Sequence, residues 1–182
     1  DSPAGVEVAL WLGDITDPAL DLGETFDLVN VGNVLFHVPE ADKFISAMKN
    51  IAKLASPGGH VVTTEYLPRT SMRTNMMMVR SRYEFEATAR SVGLRIVGVR
   101  AWDFFPNDPM GIDGPDDGIR LHFNRVRAMT QQMLGSRMDG TTRRFVIELF
   151  AEVERACLAF CKERMAEIDL PSQKLVVLMR SD

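Results

Sequence analysis

Cysteine and histidine are scarce: two and three among 182 residues. A disulfide framework is therefore excluded, and a reducing cytoplasm is the default compartment. The five side chains show no metal-ligand spacing, so no metal is expected. No apolar run approaches the roughly 20 residues that cross a bilayer, so no membrane partner is expected. Excess charge is missing too. Lys and Arg number 21 against 25 Asp and Glu, a formal charge of −4 that gives no ground for nucleic acid or anionic lipid as a partner. The chain carries no Gly-x-Ser-x-Gly elbow, phosphate loop, kinase signature or Gly-x-Gly-x-x-Gly fingerprint. Internal repeats and low-complexity tracts are absent. An initiator methionine and a signal peptide are absent as well: the sequence opens Asp1-Ser2-Pro3, which raises the expectation of a piece of a longer chain.

What is present is an ordinary globular composition, 46% apolar and 25% charged, sized for one domain or for a domain with a helical appendage. Val6 to Leu12 is rich in β-formers and reads as a buried strand that stops at Gly13-Asp14. Phe26 to Val31 reads as a second strand, with Phe26, Leu28 and Val31 toward the core. Pro39 fits the first turn of a helix. On that helix Phe44, Met48, Ile51, Ala52 and Ala55 recur at spacings of three and four and share a face. Ser56-Pro57-Gly58-Gly59 should end it, and His60 to Leu67 reads as a third strand.

Ser81-x-x-Glu84 is a capping-box pattern. The helix it opens carries Phe85, Ala89 and Val92, and Gly93 suits a left-handed stop. Leu94 to Trp102 follows as a fourth strand. This alternation predicts a mostly parallel sheet covered on both faces. Residues 103–118, with five Asp, three Pro and three Gly, have a loop composition. Two helices should follow, near 119–134 and 142–167. The first aligns Ile119, Phe123, Val126 and Met133, the second Phe145, Leu149, Val153, Cys157, Phe160 and Cys161. Lys174 to Met179 then makes a short closing strand after Pro171.

Several positions can carry chemistry, each beside a plainer reading. Asp14, at a strand's carboxyl end, can accept hydrogen bonds from a nucleotide-like cofactor, or can simply bond its own turn. In Val31-Gly32-Asn33, glycine permits close approach of a ligand and Asn33 offers a donor and an acceptor; a bulge or turn is the alternative. His37, at a strand-to-helix junction, suits a general base or a structural histidine. His60 and His122 have no convincing partners in sequence. Cys157 and Cys161, four apart on a helix, read as small core hydrophobes. The acidic loop 103–118 lacks the spacing of a calcium loop. Residues 71–102 are locally basic, six Arg against two Glu, and contain Met76-Met77-Met78 followed by Arg80 and Arg82. Met77 and Arg80 suit the wall of an acceptor pocket, or the start of an amphipathic helix.

In order and spacing, GDITD (13–17), FDLVNVGNVLFHVPE (26–40), LASPGGHVVTTEYLP (54–68) and LRIVGVRAW (94–102) resemble the class I S-adenosylmethionine-dependent methyltransferases, closest to the small-molecule group. The likeness spans about residues 6–102 and the last strand. It implies an α/β, Rossmann-like fold: a mostly parallel sheet with an antiparallel C-terminal edge strand and a helical insertion. Residues 1–102 would form a partial core, 103–173 a helical cap and 174–182 the closing edge strand. By resemblance, Asp14 with Ile15 contacts the adenine of S-adenosylmethionine, while Val31, Gly32 and Asn33 line its methionine portion. His37 falls on the acceptor side. The family's glycine-rich loop and first two strands have no counterpart here, so the chain alone should bind the cofactor poorly and should expose a sheet edge.

The resemblance implies methyl transfer to a small-molecule acceptor, as the carboxyl-terminal part of a longer enzyme. A non-catalytic relative acting as an interaction module, with a possible homodimer across its exposed edge, is a second reading. A nucleotide-binding oxidoreductase with the same sheet is a third.

Overall fold

The computed structural model describes residues 8–73, 76–103, 125, 128–129, 132–133, 135–164, 166, 168 and 172–181. Its main sheet has four strands: β1 (Phe26–Val31), β2 (Ala55–Glu65), β5 (Leu94–Asp103) and β6 (Gln173–Arg180), in the order β1-β2-β6-β5. β1 and β2 are parallel, and β6 runs antiparallel to both of its neighbours, so β5 points the same way as β1 and β2. The expected mostly parallel sheet with an antiparallel C-terminal strand is thus observed. That strand was expected at the edge, but β6 is inserted between β2 and β5, which leaves β5 as the outer strand on that side. Two short strands, β3 (Met72–Arg73) and β4 (Met78–Val79), pair as a separate ribbon.

Helix α1 (Ala41–Leu54) follows a short 3-10 turn (Leu35–His37), and α2 (Arg82–Ser91) precedes β5. The apolar face read from spacing is the one α1 buries: Phe44, Ala47, Met48, Ile51 and Ala52. These pack with Phe85 and Ala89 of α2 and with Val31, Val61, Leu94, Val176 and Leu178 of the sheet in one cluster. α1 and α2 therefore lie on the same side of the sheet. On the other side Leu28 is 61% exposed and Val97 is exposed, so coverage of both faces is not found among the described residues. Leu28 faces away from the core because side chains alternate, and Val29 and Val31 take the inner positions.

Pro39 lies before the helix rather than in its first turn: Glu40 is the N-cap. The Ser56–Gly59 segment does not cap α1 either. Ala55 already has extended backbone, and the four residues form an irregularity inside β2, between the pairs Phe26↔Ala55 and Leu28↔His60. A Cβ on Gly59 would lie 2.8 Å from the Ser56 carbonyl oxygen, which is why glycine stands there.

The start of α2 departs from a simple capping box. The Glu84 N–H donates to Ser81 Oγ at 3.2 Å as expected. The return arm passes through a third residue: the Ser81 N–H donates to Ser71 Oγ at 2.8 Å, and that hydroxyl donates to the Glu84 carboxylate. Gly93 ends the helix with φ +80°, as its position predicted.

The strand expected over Val6 to Leu12 is not formed in its described part. Residues 8–12 lie outside any strand, with Leu10 93% and Leu12 106% exposed. β-propensity alone does not hold a strand; a ladder partner does, and none of the described residues supplies one. A long helix, α3 (Gly140–Lys162), falls between β5 and β6 in chain order, where a helical insertion was expected. It starts at Asp139, whose carboxylate accepts from the N–H groups of Thr141 and Thr142. Phe145, Leu149, Val153 and Phe160, expected to share a packed face, are exposed, while Val146 is buried. The side chains of Cys157 and Cys161, the loop 104–118, His122 and most of the helix expected near 119–134 lie outside the described residues. None of the described helices is long and apolar enough to cross a membrane.

Candidate functional site

β1 and β2 end side by side, and their carboxyl ends form a rim with the amino end of β6. In parallel α/β sheets this rim is where ligands bind. Strand register sorts its polar residues onto two sides. Thr64 and Gln173 fall on the side away from α1 and α2, whereas Thr63, Glu65 and Lys174 share the parity of the buried Val61, Val176 and Leu178.

On the first side Asn33 occupies the left-handed region, φ 58°. Its N–H donates to Thr64 Oγ1 at 2.7 Å. Its side-chain carbonyl accepts from Thr64 Oγ1 at 3.0 Å and from Gln173 Nε2 at 2.8 Å. The acceptor half of Asn33 is thus used to fix the exit of β1, and its NH2 group is the half available to a ligand. Gly32, beside it, is exposed, and its N–H donates to Asn30 Oδ1 at 3.2 Å. Val31 is buried beneath.

The second side holds a carboxyl group that the sequence reading passed over. Glu65 ends β2 and is only 4% exposed. Thr63 Oγ1 donates to its Oε1 at 3.1 Å. Burial pushes the Glu65 carboxyl up to about 8, against the smaller opposing pulls of the Thr63 hydroxyl and the Arg80 charge. At neutral pH this group is therefore mostly protonated, able to donate one hydrogen bond as well as accept. The signal in the sequence is a lone acid closing the β-branched run His60 to Thr64, where the preceding residues are bound for the interior.

The expected acceptor-side residues gather around the 3-10 turn. Phe36 packs with Tyr66 and Val79, and Met77 and Met72 lean on the same cluster. His37 is exposed at the end of the turn, with its ring 4.5 Å from that of Phe36 between centroids. Met77 and His37 are thus related through the Phe36 cluster, which both meet. Arg80 sits deeper than expected, 4% exposed, with its guanidinium stacked 3.6 Å over the Phe44 ring. It donates to the carbonyls of Val38 at 2.7 Å, Met78 at 3.4 Å and Leu35 at 3.5 Å. On this geometry it holds the turn from below instead of lining a surface.

Asp14 and Ile15 stand apart from this group in their contacts. Asp14 is exposed, and its Oδ1 accepts from the Thr16 N–H at 2.8 Å and the Thr16 hydroxyl at 2.9 Å. Those two bonds hold its carboxyl below the usual range, so it is anionic at neutral pH. The Ile15 carbonyl accepts from the buried Asn50 side chain of α1 at 2.8 Å, as does that of Asp17 at 2.6 Å. The loop is therefore pinned to α1 and leaves an ionised acid on its outer side. Among the described residues no group of three or more His, Cys, Asp or Glu could hold a metal ion.

No family model matches the chain, and no curated protein does. Solved structures do. The O-methyltransferase from the trans-AT PKS multienzyme of Brevibacillus brevis, in complex with S-adenosyl-L-homocysteine, is similar over 93% of this chain and 48% of its own, at 14% identity and a TM-score of 0.50. An amino pentose methyltransferase from Micromonospora echinaspora is similar over 50% of this chain and 58% of its own, at 16% identity and a TM-score of 0.43. An O-methyltransferase family protein from Burkholderia thailandensis is similar over 50% and 32%, at 19% identity and a TM-score of 0.43. The chain thus spans between a third and three-fifths of the length of these proteins. The first likeness shows the fold: the Rossmann-like α/β fold of class I methyltransferases.

Proposed function

We propose that the chain is the carboxyl-terminal part of an S-adenosylmethionine-dependent methyltransferase acting on a small-molecule acceptor. One observation carries the reading. β1 leaves the sheet through Gly32 and a left-handed Asn33 that Thr64 and Gln173 lock in place, and the His37 turn follows directly. Such an exit brings backbone and a side-chain amide close to a ligand lying over the carboxyl ends of the strands. S-adenosylmethionine supplies, when bound, an electrophilic methyl on a sulfonium. Val31, Gly32 and Asn33 would border its methionine portion, and the ionised Asp14 with Ile15 its adenine. Met77 would wall the acceptor, with Arg80 behind, and His37 would take the acceptor's proton. In-line transfer of this kind needs chiefly positioning and a dry pocket. The glycine-rich strand–loop–helix that completes the cofactor site would come from the longer enzyme.

Calorimetry with S-adenosylmethionine and with NAD, on a longer version carrying that segment, tests the cofactor. Heat with the first alone is expected, and heat with NAD alone would turn the reading toward an oxidoreductase. His37→Ala should then slow turnover and leave cofactor affinity unchanged; a fully active variant would remove His37 as the base.

A second reading is an interaction module that pairs with its own copy. It is favoured by the exposed Leu10, Trp11, Leu12 and Leu28 and by the place of β1 at one end of the sheet, with no second ladder partner among the described residues. Sedimentation of the chain as a monomer, together with S-adenosylmethionine binding by the longer version, would count against it.

A further inference from the structure

We propose that Arg80 is a positioning residue for the turn that presents His37, a role that rests on the methyl-transfer reading above. The turn Leu35–His37 is a single 3-10 turn closed by two backbone bonds, His37 N–H to the Val34 carbonyl and Val38 N–H to the Leu35 carbonyl. No side chain caps its start. So short a helix does not set its own geometry, because one turn gains too few bonds for the torsions it fixes. Its shape comes from what grips it.

Two grips are present. Phe36 is seated against Tyr66 and Val79. Arg80 takes the carbonyls of Leu35 and Val38, one at each end of the turn, while Phe44 of α1 supports the face of its guanidinium. The planar fork is what allows both carbonyls to be met at once; an ammonium is a point donor and cannot also stack flat on the ring. Buried cations need countercharge, and Glu84 from α2 provides it, with Glu65 from β2 adding to it only where its carboxyl ionises. From β6 the cross-strand partner of Glu65 is Lys174, whose Nζ donates to the Tyr66 and Ser172 carbonyls. Arg80 therefore joins three things: the His37 turn, the core beneath it and the buried acid at the end of β2.

The test uses this chain and, for turnover, the longer enzyme. Amide hydrogen exchange is measured by NMR in the native chain, in Arg80→Met, in Arg80→Lys and in Phe44→Leu, alongside the titration of the Glu65 carboxyl. In Arg80→Met, exchange at His37 and Val38 should rise about tenfold, the equivalent of one lost hydrogen bond, while the Ile51 and Val61 amides keep their protection. Arg80→Lys should fall between, and it serves as the readout if Arg80→Met fails to fold. The Glu65 midpoint should move upward in Arg80→Met, because a nearby cation is gone, and stay in place in Phe44→Leu, which loosens packing without removing charge. In the longer enzyme the methionine variant should lose kcat with KM for S-adenosylmethionine unchanged, and lysine should restore part of it. Native exchange at His37 and Val38, a Glu65 midpoint that ignores Arg80, or native kcat would each overturn the proposal. If no methyl transfer is detected in any version, the methyl-transfer reading falls instead, while exchange and titration still decide whether Arg80 holds the turn.

Discussion

Glu65→Gln makes stability a direct probe of the buried carboxyl. In the unfolded chain this group titrates near 4.5, and in the folded chain near 8. Between those values the native state holds a proton that the unfolded state has released. Native proton binding exceeds unfolded binding there, so stability falls as pH rises and levels off above about 8. At about 1.4 kcal/mol for each pH unit, the loss across the window is on the order of 5 kcal/mol. Glutamine keeps the shape and can still accept from the Thr63 hydroxyl, but it carries no titrating proton. Urea unfolding of the native chain and of Glu65→Gln, each at intervals from pH 5 to 9, gives the comparison. The glutamine variant should gain on the native chain as pH rises, and contributions from all other groups cancel in the difference. Two curves that stay parallel from pH 5 to 9 would refute the reasoning, because they would mean that water or a countercharge reaches the carboxyl well enough to keep it ionised.

The same measurement, urea unfolding at fixed pH, checks three further expectations. Ser71→Ala removes the relay between the Ser81 N–H and the Glu84 carboxylate and should cost about 1 kcal/mol, the usual worth of a helix cap; no change would mean that water replaces the serine. Gly59→Ala places a methyl against backbone oxygen at 2.8 Å and should destabilise by about 1–3 kcal/mol, as overpacking does, while a neutral result would show that the β2 irregularity can relax. Asn33→Ala loses the bonds to Thr64 and Gln173 and puts a Cβ residue without local hydrogen bonding at φ 58°, for a cost of about 2 kcal/mol. Asn33→Gly keeps the backbone freedom and should cost less than Asn33→Ala; the reverse order would show that backbone conformation is not what selects the residue.

The parts of the fold that sequence made legible are those fixed by local rules. The three-and-four spacing from Phe44 to Ala52 marked the buried face of α1, and Ser81 and Gly93 marked both ends of α2. Where neighbours decide, sequence was silent or misleading. Val6 to Leu12 has the composition of a strand, yet its described residues find no ladder partner and stay outside the sheet. Leu28 looked like core because it is apolar, but the pleat turned Val29 and Val31 inward. Pro57, Gly58 and Gly59 looked like a helix stop, but the helix had already ended at an extended Ala55, and the strand absorbed them. At the candidate site, Asn33 and His37 could be picked out as chemistry-bearing residues at a strand end. Glu65 could not, since its raised proton affinity arises from burial by segments distant in sequence. Arg80 was visible as a cation near a wall, but its depth depends on Phe44, which lies 36 positions earlier.

Backbone conformation sets the ends of the two parallel strands apart from the rest of the described residues. Among the described residues only Asn33 and Leu67 combine a side chain with positive φ, 58° and 51°. One follows β1 and the other follows β2, so both sit where the parallel strands end. For leucine the left-handed region costs roughly 1–2 kcal/mol, and Pro68 after it favours extended backbone instead. Such a conformation persists only when its surroundings over-determine it. Here they do: Leu67 is buried in the main cluster, and Lys174 holds the carbonyl of the residue before it. Among the described residues, both side-chain-bearing positions with positive φ thus lie just past the carboxyl ends of the two parallel strands. Asn33 past β1 and Leu67 past β2 are therefore held by tertiary contacts rather than by local preference.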